Sequence, residues 1–264
     1  MRPLAELDIG LVRADNPGPF TLEGTNTWLI GRGPCWVVDP GPALPAHVGR
    51  VAADVAARGG LGGIAITHGH DDHVGAVQAL LAAVVATEVP VVAARWEGAT
   101  RMLADGERAG PLLALATPGH APDHLAYLAG RALFSGDAVL GRGSVYIAPD
   151  PGALRGYLEA LERLEAIDLA VICPGHGPLV VEPAAKLAEY RAHRVERERR
   201  LLEALDEGLR TTDELLDRAW SDAPAVLRPA SAITLAAHLD KLEAEGRLPT
   251  GVDRSGLPTP LRQI

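Results

Sequence analysis

Four times within its first 183 residues the chain repeats one grammar: an apolar, strand-like run, a turn of small residues, then a side chain able to bind a metal. The densest instance follows Gly63 to Thr67, where HGHDDH places His68, His70 and His73 within six positions, interleaved with Asp71 and Asp72. The others are LLALATPGH, ending at His120, RALFSGD, ending at Asp137, and LAVICPGH, ending at His176. With nine histidines in 264 residues, composition alone does not account for three in one loop. Residues two apart in an extended stretch share a side. His68 and His70 can therefore grip one ion while Asp72 and His73, at the turn into a helix beginning near Val74, face another. Were the four strands parallel, their ends would converge on one sheet edge, where open α/β folds place their sites. Glycine before each later ligand lets the backbone come close.

Around this grammar, the first part alternates short apolar runs with NPGP, GRGP and DPGP turn signals and reads as a β-meander. Helical spacing then appears over Ala46 to Arg58, Val74 to Ala83 and Ala153 to Leu164, between further strands. An α/β sandwich follows, with strands first as hairpins and later separated by helices. After Pro183 the texture changes. Ala184 to Leu205 is a long charged helix, Thr211 and Glu214 form a capping box, and Ser231 opens a helix that stops at Gly246. The expected division is a catalytic domain over 1–183 and a small helical, winged-helix-like domain over 184–264.

A net charge of −9 argues against a surface that coats nucleic acid or anionic lipid as a whole. The acidic excess lies almost entirely before residue 186, so any polyanion contact belongs to the C-terminal part. No apolar run approaches a membrane span of about 18 residues, and Glu6 and Asp8 interrupt any signal-peptide core. Cys35 and Cys173 lie in apolar strands and read as buried thiols. A cytoplasmic protein without membrane contact is expected.

The run HxHxDH followed by TPGH, SGD and PGHG resembles the metallo-β-lactamase superfamily over residues 1–183, which implies a sandwich with layers in the order αββα. By that resemblance His68, His70 and His120 would hold one ion, Asp72, His73 and His176 a second, and Asp137 would bridge them. Asp39, in VVDPG, would orient a ligand histidine. The cofactor implied is two Zn2+, with Mn2+ or Fe as alternatives. Such a pair makes hydroxide from water near neutral pH, with Asp72 or Asp137 as catalytic proton carrier. NPGPFTLEGTNTWLIG, with the C-terminal run from LAEYRAHR, resembles a narrower group, lactamase-beta-like protein two. That group includes an endoribonuclease acting on single-stranded RNA and resembles acyl-carrier-protein thioesterases. Resemblance favours RNA. A thioester or ester substrate is the alternative, and a metal-stabilised RNA- or partner-binding protein without turnover is the alternative of another class. The partner is accordingly single-stranded RNA or a small acyl substrate, and a homodimer is left open.

The remaining candidates are weaker. His124 divides evenly between a contact to ligands or substrate and a structural role. Arg142, Ser144 and Tyr146, after the bridging aspartate, could reach substrate. His47, His193 and His238 lie on helical stretches and read as packing or surface residues, and Cys173 reads as core. Arg191, Arg194, Arg197, Arg199 and Arg200 are the only basic path for RNA, although their interleaving with glutamates favours a salt-bridged helix face.

Overall fold

A computed structural model describes residues 8–85 and 88–258. The contacts divide the chain into two compact units. The first comprises residues up to Thr117, Asp123–Ser144 and Ile167–Ala184; the second comprises Pro118–Pro122, Val145–Ala166 and the chain from Ala185.

In the first unit the meander forms as antiparallel β1 (Ile9–Arg13), β2 (Asn26–Ile30) and β3 (Cys35–Val38). Parallel β4 (Leu61–Ala65), β5 (Val91–Ala93) and β6 (Arg101–Met102) complete a six-stranded sheet. A second sheet has the order β11 (Val171–Pro174), β10 (Ala132–Gly136), β9 (Leu125–Ala129), β8 (Leu112–Ala116), β7 (Arg108–Ala109). Its strands are antiparallel except β10 and β11, so β8, β10 and β11 share a direction and β9 runs against them. The ligand-bearing strands thus belong to two sheets, β4 to one and the other three to its partner, rather than to one parallel sheet.

Two cores hold these layers. Trp28, Ile30, Val38, Ala65 and Val92 of the first sheet meet Leu112, Leu125, Tyr127, Phe134, Val171 and Cys173 of the second. On the opposite face of the first sheet, Leu29, Val37, Ile64 and Ile66 pack with Val51 and Val55 of α1 (Pro45–Ala57) and Val77 and Leu80 of α3 (Val77–Ala83). Alternate residues of a strand face opposite layers, which is why Trp28 and Leu29 serve different cores.

The single helix expected over Val74 to Ala83 is two: α2 (Asp71–Val74) and α3, separated at Gly75. A Cβ on Gly75 would lie 2.6 Å from the Asp71 carbonyl oxygen. Across this break Gly41 donates to the His73 carbonyl at 3.1 Å and Ala76 donates to the Gly41 carbonyl at 2.8 Å, so the DPGP turn clamps the ligand helix.

The second unit is helical: α4 (Ala153–Glu165), α5 (Pro183–Asp206, all but its first two residues), α6 (Thr212–Ala219) and α7 (Arg228–Ala244). The capping box at Thr211 and Glu214 is formed. The last helix starts at Arg228 rather than Ser231, because Pro229 is accommodated in its first turn. Among the described residues no strand lies beyond Pro174, so this unit shows helices without a β wing. Leu201, Leu205, Leu215, Leu216, Leu235 and Leu239 form its core. No helix among the described residues is long and apolar enough to cross a membrane.

Candidate metal centre

The ligand-type side chains of the first unit gather at the ends of β4, β10 and β11. One potential donor atom from each of His68, His73 and Asp137 lies within 4.8 Å of the others, and the same holds for Asp72, His73 and His176. His68 Nε2 and His70 Nδ1 approach to 2.9 Å. That is close to the roughly 3.3 Å that two imidazole nitrogens take on one tetrahedral zinc ion. His70 and Asp71 are exposed at the rim, Asp72 is half-buried, and His68, His73, Asp137 and His176 are buried.

A carboxylate orients the central ligand. Asp39, 1% exposed, accepts from the Thr67 amide and hydroxyl and from His73 Nδ1, all at 2.8 Å. Nδ1 of His73 therefore carries the proton, and Nε2 is left with a lone pair aimed inward. That nitrogen is buried with no hydrogen-bond partner and faces Asp72 Oδ2 at 3.5 Å and Asp137 Oδ1 at 3.6 Å. Glycine permits the crowding: a Cβ on Gly175 would lie 2.7 Å from Asp137 Oδ1 and 2.8 Å from His73 Cε1. A nitrogen lone pair held against two carboxylates, with imidazoles on either side, fits divalent cations.

The electrostatics agree. Burial alone would push the Asp72 carboxyl up, but its hydrogen bond to His176 and the charge of His73 hold it down at about 2. Burial likewise disfavours charge on His176, yet Asp137 and Asp72 raise it to about 10. His73 is raised against its complete burial by Asp39, Asp137 and Asp72. The carboxylates demand positive charge, and protons compete with metal for the same nitrogens.

His124 lies against two of the candidate ligand residues. It is 1% exposed; its Nε2 accepts the Asp137 backbone N–H at 3.1 Å and its Nδ1 lies 2.8 Å from the Thr117 hydroxyl, while its ring stacks on His68. It braces the SGD turn and offers no surface to substrate. Arg142 is exposed and paired with Glu23 at 2.7 Å, and Ser144 is exposed. In the second unit, His120 packs against Tyr146 with ring centroids 4.5 Å apart, and Ala148 N–H donates to the Gly119 carbonyl at 2.7 Å. His47 is a packing residue, its Nε2 lying 3.0 Å from the Thr27 hydroxyl and 2.9 Å from the Pro40 carbonyl.

All five arginines of residues 191–200 are engaged inside the second unit. Arg191 meets Glu165 at 3.0 Å, Arg199 and Arg200 meet Glu196 at 2.7 and 2.9 Å, and Arg197 meets Asp222 at 2.7 Å. Arg194 and Arg197 are buried and donate to the carbonyls of Val145 and Ala219.

Sequence reasoning missed the hydroxyls of Thr25, Thr67 and Thr117. Thr25 donates to Asp72 Oδ2 at 3.2 Å. The only sequence signal for it is GTNT in an otherwise unexplained turn.

Two sheets carrying a His/Asp cluster at their strand ends define the class of metal-binding hydrolases with the metallo-β-lactamase fold. The chain belongs to the metallo-beta-lactamase superfamily, whose family model matches residues 20–112 and 90–176. Among curated relatives, it is 31% identical to a beta-lactamase-like protein 2 homolog of Caenorhabditis elegans, over 93% of this chain and 88% of that one. It is 36% identical to an atrochrysone carboxyl ACP thioesterase of Aspergillus chevalieri, over 74% of this chain and 65% of that one. Among solved structures, a beta-lactamase domain protein from Burkholderia ambifaria shares the fold at a TM-score of 0.76 and 21% identity, covering 90% of this chain and 86% of that one.

Proposed function

We propose that this hydrolase holds two zinc ions and cleaves acyl thioesters or esters. The observation that carries the metal reading is the gathering of donor atoms from His68, Asp72, His73, Asp137 and His176, in which the one free lone pair of His73 serves a second ion with Asp72 and His176 and leaves His68 to the first. His70 joins the first ion by its proximity to His68, and His120 joins it by the TPGH resemblance. When bound, paired divalent ions bring the pKa of water toward about 7 and polarise a carbonyl oxygen.

The chain's own residues do the rest. Asp39 keeps the His73 proton on Nδ1. His124 holds the Asp137 amide, fixing the carboxylate between His73 and His176. Asp72 and Asp137 face these imidazoles and are the groups placed to take up a proton during hydrolysis.

The substrate reading rests on charge and on likeness to relatives. Of the arginines that would guide a phosphodiester backbone, Arg194 and Arg197 are buried and Arg191, Arg199 and Arg200 are paired with glutamates, and the chain is acidic. That supports a small acyl substrate, in line with the thioesterase named among its relatives. The test is a parallel assay on acyl thioesters and single-stranded RNA with the wild type, Asp72→Ala and His176→Ala, alongside metal analysis. Expected are about two ions per chain, thioester turnover in the wild type, its loss in both variants and intact RNA. RNA cleavage that disappears in Asp72→Ala would replace the thioester with RNA. A fully loaded protein inert on both would leave a binding role.

A further inference from the structure

The sequence motif NPGPFTLEGTN has no part in ligation, yet the structure sets its last residues against the centre and its first, Asn16, against Thr25. Thr25, wholly buried, touches two ligand segments at once. Its backbone bridges to His176, and the next residue, Asn26, donates its amide to the Gly175 carbonyl at 2.7 Å. Its hydroxyl lies 3.2 Å from Asp72 Oδ2, the oxygen that also lies 3.2 Å from His176 Nε2.

The direction of that hydroxyl bond is set by Asn16. The Asn16 carbonyl oxygen accepts from the Thr25 backbone N–H at 2.9 Å, which fixes which end of the amide is oxygen. The amide nitrogen is thereby turned to the Thr25 hydroxyl oxygen, to which it donates at 3.0 Å. With an acceptor lone pair of Thr25 used this way, its single proton is directed at the carboxylate. The chain of donors runs one way, from Asn16 through Thr25 to Asp72. The turn that makes this possible requires Gly24: it has φ 123°, and a Cβ there would lie 2.0 Å from the Ala14 carbonyl oxygen.

We propose that Asn16 and Thr25 are positioning residues that fix the orientation of the Asp72 carboxylate and so set the affinity of the ion it shares with His73 and His176. This rests on Asp72 being a metal ligand, as proposed above. Partners behind a ligand are commonly worth 10–100-fold in metal affinity. Here the effect has a polarity that a packing role lacks. Asn16→Asp is nearly isosteric and can still accept from the Thr25 amide, but its second oxygen cannot donate. The Thr25 proton would then turn to it and away from Asp72.

The experiment measures zinc affinity of the full chain by competition with a chromogenic chelator, with thermal unfolding of the chelated proteins as the control for folding. Expected are roughly 10–100-fold weaker binding of one ion in Thr25→Val and in Asn16→Asp, and near wild-type affinity in Thr25→Ser, which keeps the hydroxyl. Wild-type affinity in Thr25→Val or Asn16→Asp would overturn the proposal, as would equal losses in Thr25→Ser and Thr25→Val. A wild-type chain that takes up no zinc would overturn the metal reading itself, a result distinguishable from variants that merely match the wild type.

Discussion

Asp39→Asn isolates the tautomer of one ligand. Asp39 has a backbone φ of 51°, a left-handed conformation that asparagine tolerates, so the backbone admits the change. The new amide oxygen can still accept from the Thr67 N–H where Asp39 Oδ1 does now, at 2.8 Å. The amide nitrogen then occupies the place of Oδ2, which accepts from both the Thr67 hydroxyl and His73 Nδ1. A hydroxyl can rotate and accept instead. The imidazole can accept on Nδ1 only by moving its proton to Nε2, the nitrogen facing Asp72 and Asp137. A protonated Nε2 has no lone pair for a metal, and returning the proton to Nδ1 breaks the bond from the amide and sets two buried N–H donors against each other, at a cost of about 1–3 kcal/mol. A loss of about 10–100-fold in zinc affinity, or about 1.4–2.7 kcal/mol, is the expected size. Competition titration with a chelator, backed by metal analysis after dialysis, reads it, and circular dichroism confirms the fold. A folded Asp39→Asn variant that binds zinc as tightly as the wild type would refute the reasoning.

Three further outcomes follow from contacts described above. Gly175→Ala would drive a methyl to within 2.8 Å of Asp137 Oδ1 and His73 Cε1, so metal content by elemental analysis should fall below the wild type; full loading would show that the β11 turn has room to yield. Zinc at about 100 times its dissociation constant should stabilise the folded chain by about 2.7 kcal/mol, and a chelator should reverse the shift in thermal midpoint; an unchanged midpoint would mean that no site is filled. In the helical unit burial lowers the His193 pKa to about 4, and lowers His238 well below its ordinary value. The unfolded chain therefore takes up protons first, and this unit's stabilisation, complete above pH about 6.5, is lost as pH falls toward 4. Hydrogen exchange in α6 and α7 should accelerate over that window, and a flat profile would contradict the assignment.

The cluster of donor side chains was legible because its segments follow an apolar strand and a tight turn, a pattern that alternation exposes in one dimension. The turn into His73 was less so. Spacing joins Val74 to Ala83 into one helix, and the break at Gly75 exists because the Gly41 turn hydrogen-bonds through it. Sheet membership was hidden for a related reason: apolar periodicity marks β8, β10 and β11 as strands but does not say that antiparallel β9 lies between β8 and β10. Of the threonines around the centre, Thr67 and Thr117 are ordinary strand or turn residues until their partners are in place, and Thr25 shows only through GTNT. The arginines of α5 were the reverse case, a visible cluster whose acceptors, Glu165, Asp222 and the Ala219 carbonyl, lie far along the chain.

The Asn26 amide donates to the carbonyls of Pro174 and Gly177, and the Trp28 indole donates to Pro174. These bonds span 148, 151 and 146 residues and hold the loop that presents His176 to the first sheet. Distant segments of chain must therefore meet before the last imidazole can reach its place, and closing so long a loop is slow. Completion of the cluster at His176 thus waits on contacts far apart in sequence, and a chain truncated before β11 would hold the HGHDDH segment yet lack the latch that brings His176 to it.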